Sequence, residues 1–209
     1  MSWSGRVMRM LQIVTDLVLI NLLIIAGIAC GLGVFGLMPA LVAGATVLRA
    51  DRDAGIVRPF LAAYRGRFRD ANLAGSPFGF AAVLIVADAV VIPALPGPAG
   101  AVLLVLTGAV AAVTVVSASL TVILLTRYDD RPLAVARFGL VLTLVSPGLA
   151  AAVLATLVAT VAVMLVAPVL APLVGASLPL VLCCRLIDRS LERLGAARLP
   201  SLTHQGVLS

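Results

Sequence analysis

Long apolar runs separated by short clusters of arginine and aspartate set the pattern of this chain. Residues 11–48, 77–126 and 138–184 contain no ionic side chain except Asp16 and Asp88. The N-terminus (Arg6, Arg9), residues 49–70, residues 127–137 and the tail from Arg185 hold the rest of the charge. A bilayer crossing needs about 20 apolar residues. The two longer runs each accommodate two crossings, broken at IPALPGPAG (92–100) and around APVLAP (167–172), where proline and glycine interrupt helices. The run 11–48 is tighter. CGLGVFGLMPA (30–40) breaks it, leaving a full span at about 11–31 and a shorter return at about 37–49. The pattern predicts an all-α, polytopic transmembrane helical bundle of about six helices arranged as three hairpins. The alternative has five spans, with 37–49 re-entrant or lying in the interface.

The sign of the charge gives these helices an orientation. Each charged stretch is net positive, which predicts that all four face the cytoplasm. An even number of crossings then separates each from the next, as six helices require, and both termini are cytoplasmic. The connections on the other face are short and almost uncharged. Arg6 and Arg9 precede the first span without a convincing cleavage site, so that span is expected to stay in the bilayer. Residues 1–198 are read as one transmembrane domain and 199–209 as a disordered tail. Just before that tail, RLIDRSLERLGAAR (185–198) continues the last helix with an apolar stripe.

Composition strengthens this picture. Hydrophobic residues make up 62% and charged residues 11%, and the mean hydropathy is +1.20, far from a soluble globular balance. The formal charge of +6 comes from arginine alone. Because the arginines fall between apolar runs, they fit topology signals better than nucleic-acid binding. Cys30, Cys183 and Cys184 lie in or at the ends of apolar stretches, and the one histidine, His204, is in the tail. That argues against a disulfide framework and against a metal site. No phosphate loop, Ser/His/Asp set, HExxH or CxxC is present, so the expectation is a non-enzymatic protein without a cofactor.

Candidate chemistry is confined to a few polar positions. IVRPFLAAYRGRFRDAN (56–72) reads as an amphipathic basic helix at the membrane surface. Phe60, Tyr64 and Phe68 would sit in the acyl boundary, with Arg58, Arg65, Arg67 and Arg69 toward anionic headgroups or a partner protein. Asp16 lies seven residues beyond Arg9, about 10 Å along a helix, and shares a face with Arg9 and Gln12. It is placed to pair with loop arginines and fix the first helix, with a transport or proton-relay role as the other possibility. Asn21 is expected to hydrogen-bond across helices. Asp88, eleven residues beyond Pro77, is about 16 Å into its span, where a charge is costly and invites a functional reading. The two carboxylates are not expected to meet.

The first third of the chain resembles the YesL family of small bacterial membrane proteins. The resemblance rests on WSGRVMRM (3–10) leading into DLVLINLL (16–23), then FGLMPA (35–40), Arg49, and FLAAYRGRFRDANLAG (60–75), in the family's order and spacing. This chain has Ile24 and Leu41 where the family tends to have tryptophan and threonine. The resemblance implies no activity and no catalytic residues. It implies an accessory role in carbohydrate uptake, alongside ABC-type sugar permeases. The expectation is therefore an inner-membrane accessory subunit of a solute transport system, in contact with membrane lipids and such a permease. The alternatives are a stand-alone small-solute or proton-coupled transporter using Asp88, and a lipid-binding, membrane-organising protein.

Overall fold

The computed structural model describes residues 3–50, 55–94, 97–128, 130–168, 173 and 175–187. The tail 199–209, the C-terminal boundary at 198 and most of the stripe over 185–198 lie outside the described residues. Eight α-helices account for most of the described chain, and no strand occurs among those residues. They are α1 (Trp3–Cys30), α2 (Val34–Arg49), α3 (Val57–Gly66), α4 (Phe68–Val91), α5 (Pro98–Leu125), α6 (Pro132–Val145), α7 (Pro147–Val166) and α8 (Ser177–Ile187), with a 3-10 turn at Ile92–Ala94 after α4. Four stretches are long and apolar enough to cross a membrane: Met10–Cys30, Phe68–Ala94, Pro98–Leu125 and Pro147–Val166. The chain is a helical membrane protein. Helices α2, α6 and α8 are apolar but shorter, so the four long spans account for part of the expected six.

Helices α1 and α2 form an antiparallel hairpin through glycine. A Cβ on Gly31 would run into the backbone of Gly36, and one on Gly36 into the backbone of Gly27 and Ile28, so the two helices meet backbone to backbone. Helix α2 is the most enclosed element: Pro39, Ala40, Val42, Ala43, Gly44, Ala45 and Val47 are all buried. Small side chains on every face let α1, α3, α4 and α5 close around it. At sixteen residues it is about 24 Å long, short of a full hydrocarbon thickness of about 30 Å.

Two proline positions differ from the sequence expectation. Pro77 does not start the third span; it lies inside α4, which begins at Phe68. Pro77 cannot donate to the Leu73 carbonyl four residues back, and the Ser76 hydroxyl donates to that carbonyl instead, at 2.9 Å. A hydroxyl beside the proline thus lets the helix continue through apolar surroundings. The surface helix expected over 56–72 accordingly ends at Gly66, and residues 68–72 are the first turn of α4. Conversely, the run 138–184 is broken at Ser146 as well as in the expected region after α7. Ser146 (φ −118°, ψ 72°) precedes Pro147, and a residue before proline is driven out of the helical region.

Helices α5 and α6 pack antiparallel through another close approach. The Ser117 and Thr143 hydroxyls hydrogen-bond at 2.9 Å in the interior, and Gly139 lies against Thr121 and the Ser117 carbonyl. Most other hydroxyls bond back to their own helix, as Thr114 does to the Val110 carbonyl and Thr160 to that of Thr156, both at 2.8 Å. Such back-bonding satisfies a hydroxyl without a partner helix.

Candidate functional site at the arginine end of the bundle

The ends of α2, α5 and α8 and the starts of α3, α4 and α6 meet at one end of the bundle, beside the first half of α1. Two arginines fix this end. Arg49, the last residue of α2, donates through Nη1 to Thr126 Oγ1 and, at 3.4 Å, to the Ile123 carbonyl. Arg67, at the junction of α3 and α4, donates to the Leu125 carbonyl at 2.7 Å. The last carbonyls of α5 lack i+4 N–H donors within the helix and carry its negative dipole end; two guanidiniums from separate elements donate to them. Charged stretches far apart in sequence are thereby gathered at one end.

Arg67 is therefore turned into the protein, which corrects its expected role on a headgroup or partner face. Phe60 changes in the same way. It is 2% exposed, part of the core rather than of an acyl boundary. Tyr64 packs beside Phe60 (ring centroids 6.2 Å apart, 15° between planes) and edge-on to Phe68 (5.6 Å, 64°). Its hydroxyl donates to the Gly27 carbonyl of α1 at 2.8 Å. Burial, and then the neighbouring Cys30 thiol, push the Tyr64 hydroxyl above its ordinary pKa, which keeps it a donor. The apolar face of α3 is thus spent on the α1–α2 hairpin. Arg58 and Arg65 of α3, and Phe68 and Arg69 in the first turn of α4, stay exposed.

Asn21 is fully buried. Its Oδ1 accepts from the backbone N–H of Ala176 at 2.8 Å and of Ser177 at 3.3 Å. These are first-turn donors of α8, which no carbonyl of that helix can serve. Asn21 therefore acts as an N-cap supplied from a distant helix.

Between α1, α2 and α8 lies a cavity of about 590 Å³. Gln12 and Asp16 of α1, Arg49 of α2 and Arg185 of α8 line it together with apolar side chains. Asp16 thus shares a cavity with Arg49, the helix-end arginine, and with Arg185. The sequence pointed to Asp16 and Gln12 on one face but gave no sign that α8 would bring Arg185 there. No cluster of three or more His, Cys, Asp or Glu capable of holding a metal occurs among the described residues.

Asp88 belongs to the other end. The Thr107 hydroxyl of α5 donates to its Oδ2 at 3.1 Å. Because α4 begins at Phe68, Asp88 lies about 30 Å along the helix from the arginine end and about 9 Å from Ala94, further out than counting from Pro77 suggested. The two carboxylates do not meet, and Thr107 is a partner that the sequence did not single out.

Residues 17–89 match the model of a family described as "Protein of unknown function, DUF624". The match begins beside Asp16 and ends beside Asp88, so it takes in Asn21, α2, α3 and most of α4 but neither α8 nor Arg185. No curated protein and no solved structure matches the chain.

Proposed function

We propose that this chain is a non-enzymatic protein of the bacterial inner membrane, an accessory subunit of a solute transport system that docks through the outward face of α3. The YesL resemblance, compatible with the matched family, makes carbohydrate the solute class and an ABC-type permease the partner. On this reading the arginine end and both termini are cytoplasmic, and α2 and α8 complete six crossings as three hairpins.

The observation that carries the proposal is the way α3 is held. Phe60 and Tyr64 lock it onto α1 and α2, so Arg58 and Arg65, with Arg69 in the adjoining first turn of α4, are presented on a fixed surface. A rigid basic face suits an acidic protein partner, because interfacial charge gives orientation and speed of encounter. A conduit is less well supported. Asp88 is some 30 Å from the arginine end along α4, and the intervening hydroxyls of Thr114, Ser119 and Thr121 are committed to carbonyls of their own helix.

Affinity purification from native-host membranes tests this. Transporter subunits are expected to co-purify with the tagged chain, and Arg58→Glu/Arg65→Glu/Arg69→Glu is expected to lose them without changing thermal stability. Recovery of the wild-type chain alone would overturn the proposal.

A further inference from the structure

The cavity at the arginine end has a graded lining that three helices produce independently. On α1, Gln12 and Asp16 lie toward the arginine end and Ile20 one turn deeper. On α2, Arg49 is terminal and Val47 deeper. On α8, Arg185 is outermost and Val181 one turn deeper. The polar lining groups all lie at the arginine end, where Ile13, Ala50 and Ile56 also contribute, and the deeper lining of Leu17, Ile20, Val47 and Val181 is wholly apolar. A soluble metabolite would have little use for that gradient, whereas an amphiphile with its head at the membrane surface matches it along its length.

Charge and geometry narrow the head. Among the described residues, the guanidiniums of Arg49 and Arg185 and the carboxylate of Asp16 line the cavity, and a pair of arginines suits an anion. Arg49 is oriented by its bonds to Thr126 and the Ile123 carbonyl, which reduces the ordering needed when a ligand arrives. Arginine binds phosphate oxygens through paired N–H groups. Basic pockets between helices at the membrane surface suit lipid headgroups, and about 590 Å³ is within the usual range for a ligand site, roughly 300–1,000 Å³.

The geometry points to a binding site for an anionic phospholipid, its phosphate between Arg49 and Arg185 and its first methylenes against Leu17, Ile20, Val47 and Val181. Gln12 and Asp16 offer acceptors to headgroup hydroxyls, which favours a glycerol headgroup. The site is separate from the face proposed for docking, since none of Arg58, Arg65 and Arg69 lines it, so either proposal can fail without the other.

Native mass spectrometry of the full-length protein from detergent tests this, with phosphatidylglycerol, phosphatidylcholine and inorganic phosphate as separate probes. Phosphatidylglycerol is expected to be retained over phosphatidylcholine. Arg185→Gln should weaken retention about tenfold, the loss of one charge-assisted hydrogen bond. Arg137→Gln, an exposed arginine on α6, should leave retention unchanged, and Asp16→Asn should strengthen it. Equal retention of both lipids, equal effects of Arg185→Gln and Arg137→Gln, or displacement of the lipid by millimolar inorganic phosphate would each overturn the assignment.

Discussion

Asn21 illustrates what a single polar side chain can do in apolar surroundings. Helix α8 starts against α1, and its first N–H groups have no carbonyl of their own helix to meet them. Asn21 supplies the oxygen from α1. The sequence identified Asn21 as a residue that bonds across helices, because a carboxamide in an apolar span must find a partner. It could not identify the partner, which is a backbone end brought there only by the fold. Asn21→Leu keeps the branched outline in a larger side chain and removes the acceptor. We expect it to cost about 2–3 kcal/mol, the value of leaving buried donors unsatisfied, measured as a lower unfolding midpoint in SDS titrations. A matching loss of protection at the Ala176 and Ser177 amides in hydrogen exchange would place the damage at the start of α8.

At the scale of elements, charge was easier to read than helix ends. Positive clusters grouped Arg49, the 127–137 loop and Arg185 on one side, and bonds from Arg49 and Arg67 to the end of α5 and the shared cavity bring them together. Helix boundaries were harder because proline has two outcomes. Pro77 is carried through α4 by the Ser76 hydroxyl, while Pro147 breaks the run at Ser146; the choice depends on whether the freed carbonyl finds a donor. The amphipathic pattern expected over 56–72 holds only in part: α3 buries Phe60 and exposes Arg58 and Arg65, but it stops at Gly66, Arg67 turns inward and Phe68 stays exposed. What covers the apolar face was not legible, since hydropathy cannot distinguish lipid from another helix. Glycines show the same limit. Gly36 abuts the α1 backbone, whereas Gly108 of α5 has open space around it. We expect Gly36→Ala to destabilise the α1–α2 hairpin by about 1–3 kcal/mol, as overpacking does. Gly108→Ala should stabilise α5 by up to about 1 kcal/mol through helix propensity. Thermal unfolding of the two variants in one detergent compares them directly.

For the molecule as a whole, polar chemistry is divided between two ends that do not communicate through a polar path among the described residues. The arginine end holds a ligand-sized cavity and a basic face. The far end of the α4–α5 hairpin holds Asp88 and Thr107, on a helix with none of an 18-residue stretch buried in the bundle. The Asp88–Thr107 bond ties the two arms of that hairpin together, and in this role the carboxylate is needed as an acceptor rather than as a charge. Asp88→Asn preserves an acceptor for the Thr107 hydroxyl, so its unfolding midpoint should correspond to a change below about 1 kcal/mol, while Thr107→Val should lose the roughly 1 kcal/mol of one hydrogen bond. A coupling residue would behave differently, because removing its charge abolishes proton or solute movement even where the fold is intact. Flux of sugar and of protons into proteoliposomes holding the chain alone separates the two cases. An accessory subunit gives the same background flux for wild type and Asp88→Asn, whereas flux present in the wild type and lost in Asp88→Asn would make Asp88 a transport residue and the chain a transporter in its own right.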